Sequence, residues 1–300
     1  MAPHPGTLFL FGLGYTGAAI SALAAARGWR VAATSRTPGR VRPPPGVEVI
    51  AFDDAAPVLH AATHLVATAP PGEGGDPVLA RYAAEIAAAP GLRWAGYLST
   101  TGVYGDRGGA WVDEATEPAP SSERGRRRVT AEEAWRRAFA GRALDLFRLA
   151  GIYGPGRSVL DDLRAGTARR VVKPGHLFGR IHRDDIAAAV LAAMGQDPPP
   201  GVRVLNLSDD EPAASADVTA EGARLLGLPV PPDVPYEQAA AGMSAMGRSF
   251  WADNRRVGSA RTQEVLGLRW QHPTYREGLR AILEQERAQG SAQRGEVAGS

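Results

Sequence analysis

Residues 7–36 constrain the fold more than any other stretch, because they combine an apolar strand, a glycine-rich turn, a helix and a second strand. The apolar run at 8–11 is typical of a strand buried in a parallel sheet, and GLGYTG follows it directly. An alanine-rich helix is predicted over 18–27, with Gly28 as its C-terminal cap and a strand over 29–34. This order predicts a right-handed strand–helix–strand crossover.

The glycines of this motif have separate physical roles. Gly12 allows a tight turn, Gly14 lets the backbone approach a pyrophosphate, and Gly17 lets the helix pack closely on the strand. Free amides and the dipole at the start of the helix, where Tyr15 and Thr16 lie, attract phosphates. We therefore predict that these five residues bind a dinucleotide; a purely structural crossover is the alternative.

The end of the second strand indicates which dinucleotide would bind. An acidic residue there would bind the adenosine ribose, but the sequence has hydroxyl residues and an arginine at 34–37. A guanidinium beside hydroxyl groups suits a 2′-phosphate. We predict NADP rather than NAD, bound in part by Ser35 and Arg36; a solvated loop arginine is the alternative.

Composition restricts the class of protein. A chain of 300 residues with 44% hydrophobic and 22% charged residues is ordinary for a soluble globular protein, and a net charge of +2 gives no nucleic-acid footprint. The absence of cysteine excludes disulfides and thiolate chemistry. Six scattered histidines without an HExxH motif predict no metal site. The apolar run near the start is too short for a membrane span, so we expect a cytoplasmic protein without a membrane partner.

Further strands are predicted along the first half of the chain, at 47–52, 64–68, 94–98 and 144–149. Helical segments and turns separate them. Such alternation is typical of an α/β fold with a doubly wound parallel sheet, the Rossmann arrangement.

The same pattern predicts two domains and a tail. Residues 1–170 would form the dinucleotide-binding domain, and about 181–210 would complete its sheet. Residues 171–287 would form a smaller C-terminal α+β substrate domain, in which 237–248 is a helix or a lid. The Gly-, Ser- and Gln-containing tail at 288–300 is predicted to be disordered.

Three more residues are assigned to the cofactor from their places at strand ends. Asp53 follows the third predicted strand and would accept a hydrogen bond from an adenine amino group, or else cap the next turn. Ala69 and Pro70 follow the fourth predicted strand. Their loop would lie over a bound cofactor, although turn formation alone would explain them equally.

Six motifs occur in a recognisable order: GLGYTG, Asp53, STTGVYG, FRLAGIYGPG, GRIHRDDIAAAV and VLNLSDDEP. In this order they resemble the extended short-chain dehydrogenase/reductase superfamily, the group of nucleotide-sugar epimerases and dehydratases. The resemblance covers about residues 7–285. The GxGxxG spacing, in place of GxxGxxG, is more similar to atypical members of NAD(P)-binding or epimerase-like type.

The resemblance implies a catalytic unit of one hydroxyl residue and a Tyr-x-x-x-Lys pair, in which the tyrosine transfers a proton and the lysine binds ribose and lowers the tyrosine pKa. Thr100 matches the hydroxyl position and would orient the substrate beside the cofactor; a strand-end threonine is the alternative. Aligning RGRRRVTAEEAW with the family pattern YGRSKLEAE places Arg124 at the tyrosine and Arg128 at the lysine. The residue four before Lys173, the only lysine, is Arg169, so no other register restores the pair.

These replacements predict different roles for the two arginines. Arg128 would still bind ribose hydroxyls or a phosphate of the cofactor. Arg124 cannot transfer a proton near neutral pH, and we predict that it binds substrate. Two alternatives stay open for the cluster at 124–128. The cluster forms a solvated basic face, or it binds an anionic partner, which would be a ligand phosphate or the acidic loop at 113–117.

Replacement proton carriers are nominated from the remaining motifs. Tyr104 and His182 are the candidates, although the resemblance implies that Tyr104 packs in the fold and that Asp185 caps the helix after His182. SFWADNRR is similar to the SF-x-x-NKR stretch of atypical members, so Asn254 and Arg255 are predicted to bind substrate; a solvated loop is the alternative.

Two functions are compatible with these predictions. One is an NADP-dependent oxidoreductase or epimerase-like enzyme for a polar small molecule that carries a nucleotide or phosphate. The other is a catalytically silent NADP(H)-binding sensor or regulatory protein. A homodimer is compatible with either.

Overall fold

The structure is a computed structural model that describes residues 6–298 of the chain, and the side chains of residues 6–288. The strands are β1 Thr7–Phe11, β2 Arg30–Ser35, β3 Val47–Ala51, β4 His64–Ala67, β5 Trp94–Thr100, β6 Trp111–Val112, β7 Ala143–Leu149, β8 Gly151–Tyr153, β9 Arg170–Val172, β10 Arg180–His182, β11 Gly201–Leu207, β12 Asp233–Pro235 and β13 Arg256–Val257. The helices are α1 Tyr15–Ala26, α2 Ala56–His60, α3 Pro77–Ala88, α4 Glu123–Ala138, α5 Val159–Arg164, α6 Arg183–Gly195, α7 Ser215–Leu226, α8 Tyr236–Ala240, α9 Ala245–Phe250, α10 Ala260–Leu266 and α11 Tyr275–Ala298.

A seven-stranded sheet forms the centre of the fold, in the order β3-β2-β1-β4-β5-β7-β11. Every neighbouring pair in it is parallel. This is the order of a doubly wound sheet with one added strand, so the predicted Rossmann fold is confirmed. Strand β11 pairs with β7 along its whole length and forms one edge of the sheet.

Both faces of the sheet are covered by helices, as the unbroken apolar run of β1 requires. Leu8 and Leu10 belong to one buried cluster, on the side of α1 and α6, whereas Phe9 and Phe11 belong to the other, on the side of α3 and α4. Successive side chains of a strand point to opposite faces. An apolar run therefore indicates a strand buried on both sides.

The C-terminal elements have an apolar cluster of their own. It joins Tyr153, Leu160, Val218, Leu279 and Ile282, which come from β8, α5, α7 and α11. Three short parallel pairs, β8–β10, β9–β12 and β6–β13, connect these elements to the loops above the main sheet. The cleft described below lies between this region and the sheet edge.

Helix α11 is longer than the sequence analysis predicts. The sequence predicts disorder for 288–300, whereas the helix continues to Ala298, and residues 299 and 300 lie outside the described residues. Alanine, glutamine, arginine and glutamate between the glycines are good helix formers, and the composition-based prediction gave them too little weight. No helix within residues 6–298 has the length and apolar character that would let it cross a membrane.

Candidate functional site

A cleft of about 660 Å³ opens at the carboxyl edge of the sheet. In open parallel sheets, ligands bind outside the carboxyl ends of the strands, where the strand order reverses. Eight of the predicted site residues line this cleft: Gly14, Tyr15, Thr16, Gly17, Thr100, Arg124, Arg128 and Arg255. Residues distant in sequence therefore surround a single space.

The glycine-rich turn has the three features predicted for it. Gly12 has a φ of +106°, which favours glycine, and its N–H donates to Thr34 Oγ1 at 3.1 Å. A Cβ atom on Gly17 would clash with the carbonyl oxygen of Gly12, so α1 packs directly against the turn. A Cβ atom on Gly14 would have no neighbour within 4 Å. Backbone at this position faces open space from which a phosphate group can approach it.

Thr68 bonds to this turn from the end of β4, and the sequence analysis did not assign it to the site. Its hydroxyl lies 2.9 Å from the carbonyl oxygen of Gly12 and 3.1 Å from that of Phe11. It lines the cleft directly after β4. Only the strand order reveals this role, because β4 is adjacent to β1 in the sheet but more than 50 residues away along the chain.

The residues predicted to contact the adenosine half lie along the same edge, outside the lining of the 660 Å³ cleft. Ser35 ends β2, and Arg36 follows it with an exposed side chain. Asp53 is also exposed, in the 3₁₀ turn after β3. Ala69 and Pro70 follow β4. Their contacts with a cofactor stay a prediction.

Thr100 and Arg128 both line the cleft near the end of β5. Thr100 ends β5, and its Oγ1 accepts a hydrogen bond from the N–H of Gly102 at 3.1 Å, which leaves its hydroxyl proton available for a ligand. Arg128 is only 7% exposed and donates to the Leu98 carbonyl at 2.7 Å and to the Tyr97 hydroxyl at 3.0 Å. These bonds fix the guanidinium beside the end of β5.

The arginine cluster of α4 is divided between solvent and cleft. Arg126 and Arg127 form surface salt bridges with Glu123 at 3.0 and 3.2 Å. Arg124 and Arg128, one helical turn apart, line the cleft. Neither has an acidic partner within salt-bridge distance in the described part of the chain, and the loop at 113–117 pairs with none of the four. Burial lowers the pKa of Arg124, and the charge of Arg128 lowers it further.

Tyr104 does not reach the cleft, which contradicts its predicted catalytic role. The side chain is fully buried, its hydroxyl donates to Asn206 Oδ1 at 2.7 Å, and the Arg148 guanidinium lies 4.9 Å from its ring. Burial raises the pKa of Tyr104. It is a packing residue between β5 and β11, because the 3₁₀ turn after Thr100 directs it inward.

His182 is also structural, so its predicted acid–base role is wrong. It is 2% exposed and its Nδ1 accepts from the Asp184 N–H at 3.2 Å, so His182, not Asp185, caps α6. Asp185 instead accepts from the backbone N–H groups of Gln271 and His272 and binds the His272 ring at 2.9 Å. Burial and the adjacent His272 lower the pKa of His182 to about 4.

His182, Asp185 and His272 have ligand atoms within 4.8 Å of one another, a grouping that has the chemistry of a metal site. However, the Asp185 carboxylate already accepts three hydrogen bonds, and His182 lies at the N-terminus of α6, where the helix dipole disfavours a cation. We therefore assign no metal to them.

Asn254 holds loops together, and its predicted substrate contact is wrong. Its side-chain oxygen accepts from the Leu177 N–H at 3.3 Å, and its amide nitrogen donates to the Gly175 carbonyl at 2.9 Å. The next residue, Arg255, does line the cleft. Arg255 Nη1 donates to the Gly105 carbonyl at 2.9 Å and to Asp253 at 3.1 Å. Asn254 thus anchors the segment that carries Arg255.

Two further arginines of the cleft were missed. Arg157 follows the GPG turn after β8, and its guanidinium lies 5.6 Å from the ring of Tyr15, whose hydroxyl donates to the Pro155 carbonyl at 3.1 Å. Arg180 begins β10 and also lines the cleft. Arg180 belongs to a motif recognised in the sequence and Arg157 directly follows one, but only the tertiary structure directs them toward the glycine-rich turn and the sheet edge.

A glycine-rich first crossover at the switch point of a seven-stranded parallel sheet defines the class of this protein as a doubly wound α/β protein with a Rossmann fold. The structure is similar to that of a functionally unknown conserved protein from Silicibacter pomeroyi DSS, with 45% identity, a TM-score of 0.84 and coverage of 94% of this chain and 99% of that one. It is also similar to human epimerase family protein SDR39U1 (isoform 2), solved with NADPH, with 19% identity, a TM-score of 0.71 and coverage of 93% and 99%.

Sequence comparison finds a curated relative as well. Protein YeeZ of Escherichia coli strain K12 is 28% identical over 238 residues, which are 74% of this chain and 84% of YeeZ. No protein-family model matches the sequence. These comparisons show that the chain shares its fold with epimerase-family structures, and its motif order resembles that of the extended short-chain dehydrogenase/reductase superfamily.

Proposed function

We propose that this protein binds NADP(H) and acts as an oxidoreductase or epimerase-like enzyme on a polar small molecule that carries a nucleotide or phosphate. The glycine-rich turn is the observation that carries the proposal. Gly14 faces open space at the start of α1, while Gly12 and Gly17 are required by the packing around it. A purely structural crossover requires close packing at Gly12 and Gly17 but no open approach to Gly14. SDR39U1, which shares the fold, was solved with NADPH.

NADP is favoured over NAD by the end of β2. Arg36 is exposed there, next to the Ser35 hydroxyl, and β2 ends without the acidic residue that binds the ribose in NAD-specific sites. Asp53 at the end of β3 would contact the adenine, and Ala69 and Pro70 would cover the pyrophosphate.

At the other end of the cleft, Thr100 would orient the substrate and Arg128 would bind the nicotinamide ribose. Arg124 would bind substrate but cannot carry the proton, since a guanidinium keeps its charge near neutral pH. The proton would then come from water or from the substrate itself. We expect slow turnover relative to enzymes that have a Tyr-Lys pair, because general acid–base catalysis contributes about 10²- to 10⁴-fold.

A silent sensor of NADP(H) is the second candidate, and the tyrosines of the cleft favour it. Tyr15 and Tyr153 are the tyrosines in the lining, and both hydroxyls donate to backbone carbonyls, of Pro155 and Thr274. Burial raises the pKa of both. Neither is therefore arranged as a proton donor, and a cofactor would bind without turnover.

A thermal-shift titration with NADPH and NADH tests both candidates, since a ligand of the folded state raises the melting temperature. If neither dinucleotide stabilises the protein at millimolar concentration, both candidates are wrong. If NADPH does, a panel of carbonyl compounds and sugar nucleotides is followed at the nicotinamide absorbance. Oxidation that is lost in Thr100→Ala but kept in Thr130→Ala, a surface change on α4, supports the enzyme. No oxidation with any compound favours the sensor.

A further inference from the structure

We propose that the substrate carries an oxoanion, a carboxylate or a phosphate group, next to its reacting carbon, and that Arg124 and Arg255 bind this group beside Thr100. The inference rests on the proposed function, because it places the reacting carbon at Thr100. It adds the chemical class of the substrate and the residues that select it.

Both arginines converge on the loop that follows β5. A Cβ atom on Gly102 would lie 3.4 Å from Thr100 Oγ1 and 4.0 Å from Arg255 Nη2, so the hydroxyl and the guanidinium are neighbours across one glycine. The first turn of α4 packs on the same loop, since a Cβ atom on Gly125 would lie 3.0 Å from the Gly102 carbonyl. Arg124, one residue earlier, lines the same cleft.

Both guanidiniums have unused hydrogen-bond donors. Arg255 uses Nη1 for the Gly105 carbonyl and Asp253, and its Nη2 has no partner within the described residues. Arg124 has no hydrogen bond or ion pair within the described residues, and its guanidinium lies 5.6 Å from the centre of the Phe250 ring. The planar set of N–H donors of a guanidinium matches the oxygen atoms of a planar carboxylate or a tetrahedral phosphate.

The charges of the cleft favour an anion. Five arginines line it, at 124, 128, 157, 180 and 255, against one acidic residue, Asp253. Asp253 is paired with Arg255 at 3.1 Å and does not neutralise Arg124. Arg124 is exposed where it lines the cleft, whereas the Arg255 side chain is only 16% exposed. Burial lowers the pKa of Arg255, so the contact with Asp253 does not fully compensate its charge. A bound oxoanion would compensate it.

The phosphates of the cofactor do not account for this position. The pyrophosphate would lie at Gly14, after β1, and a 2′-phosphate would lie beyond it, after β2. Thr100 ends β5, and β4 separates β5 from β1 in the sheet. With about 4.8 Å between neighbouring strands, the two positions are about 10 Å apart, in the direction away from the adenosine. The anion at Arg124 and Arg255 therefore belongs to the substrate.

Calorimetric titration of the full chain with oxalate and with inorganic phosphate, each with and without saturating NADP⁺, tests this inference. We expect binding that weakens about tenfold or more in Arg124→Gln and in Arg255→Gln. Arg126→Gln is the matched control, because that side chain faces solvent from the same turn of α4 and pairs with Glu123. Arg255→Lys keeps the charge beside Asp253 and guards against loss of folding, which circular dichroism monitors.

Each outcome decides between the possibilities. Tighter binding of oxalate than of phosphate, lost in both glutamine variants, supports a carboxylate substrate, and the reverse order supports a phosphorylated one. Equal affinity in Arg124→Gln, Arg126→Gln and the unchanged protein, or no binding of either anion, overturns the inference. Anion binding without any NADPH binding would refute the proposed function alone, whereas NADPH binding without anion binding would refute this inference alone.

Discussion

Arg148 and Glu132 form a buried ion pair with two hydrogen bonds, at 3.2 Å from Nε to Oε1 and 2.8 Å from Nη2 to Oε2. Both side chains are 3% exposed, and Glu132 also accepts from the Ser99 hydroxyl at 2.6 Å. The pair joins β7 to α4, the helix that carries Arg124 and Arg128 into the cleft. It therefore positions the cationic wall of the site.

Removal of one partner leaves the other charge buried and unpaired. We expect Glu132→Ala to lower the free energy of unfolding by about 3–5 kcal/mol, measured by urea denaturation. The control is Glu133→Ala, which removes the surface partner of Arg136. It should change the free energy of unfolding by no more than about 1 kcal/mol. Similar losses in the two variants would contradict the structural role of the buried pair.

The two glycines of the turn should respond differently to alanine. Gly14→Ala has room for its Cβ in the unliganded protein, so its stability should stay within about 1 kcal/mol of the original. Its methyl group would occupy the space that a pyrophosphate needs, and NADPH affinity should fall about tenfold or more. In Gly17→Ala the new Cβ atom would clash with the backbone at Gly12. This variant should lose about 1–3 kcal/mol of stability in addition to its NADPH affinity. Unchanged NADPH affinity in Gly14→Ala would argue that no dinucleotide binds there.

Arg36→Ala tests the preference for NADP. Loss of a charged hydrogen bond to the 2′-phosphate should weaken NADPH binding about tenfold or more and leave NADH binding nearly unchanged. Arg40→Ala, an exposed change in the following turn, is the control. Equal losses for the two dinucleotides in fluorescence titrations would refute the preference.

Asp209 should make the protein less stable as the pH rises toward 8. Its side chain is 1% exposed, and neither carboxylate oxygen has a hydrogen bond within the described residues. Burial raises its pKa from 3.8 to about 8. Between these values the folded state keeps a proton that the unfolded state has released. The free energy of unfolding therefore falls with rising pH, by at most about 1.4 kcal/mol per pH unit.

Buried histidines have the opposite effect at lower pH. Burial lowers the pKa of His64, His176 and His182 from 6.5 to about 4, so below pH 6.5 the unfolded state takes up protons that the folded state does not. Stability should therefore be greatest near pH 6.5. Urea unfolding of Asp209→Asn should lose the decline above that pH and keep the decline below it. The exposed change Asp54→Asn should keep both.

The first crossover was predictable because its information is local. Strand, glycine spacing and helix lie within 30 residues, and a side chain at Gly12 or Gly17 would violate a backbone constraint of the turn. The division of the arginine cluster was accessible in principle too. Arg124 and Arg128 are four residues apart on one face of α4, whereas Arg126 and Arg127 lie on another.

The errors concern side chains whose surroundings are distant in sequence. Tyr104 and His182 occur in motifs at strand ends, as Thr100 does, but Asn206 and His272 enclose them. Asn254 precedes Arg255 directly, yet its amide bonds to residues 175–177 and not to the cleft. No pattern within a motif distinguishes these cases.

The sequence by itself determined the doubly wound sheet and the glycine-rich turn, because strand burial, helix spacing and glycine conformations are encoded over short stretches. Only the tertiary structure decided which polar side chains face the cleft. That outcome depends on the order of strands in the sheet and on the loops packed above it, which bring together Thr68, Arg157, Arg180 and Arg255 from four separate parts of the chain.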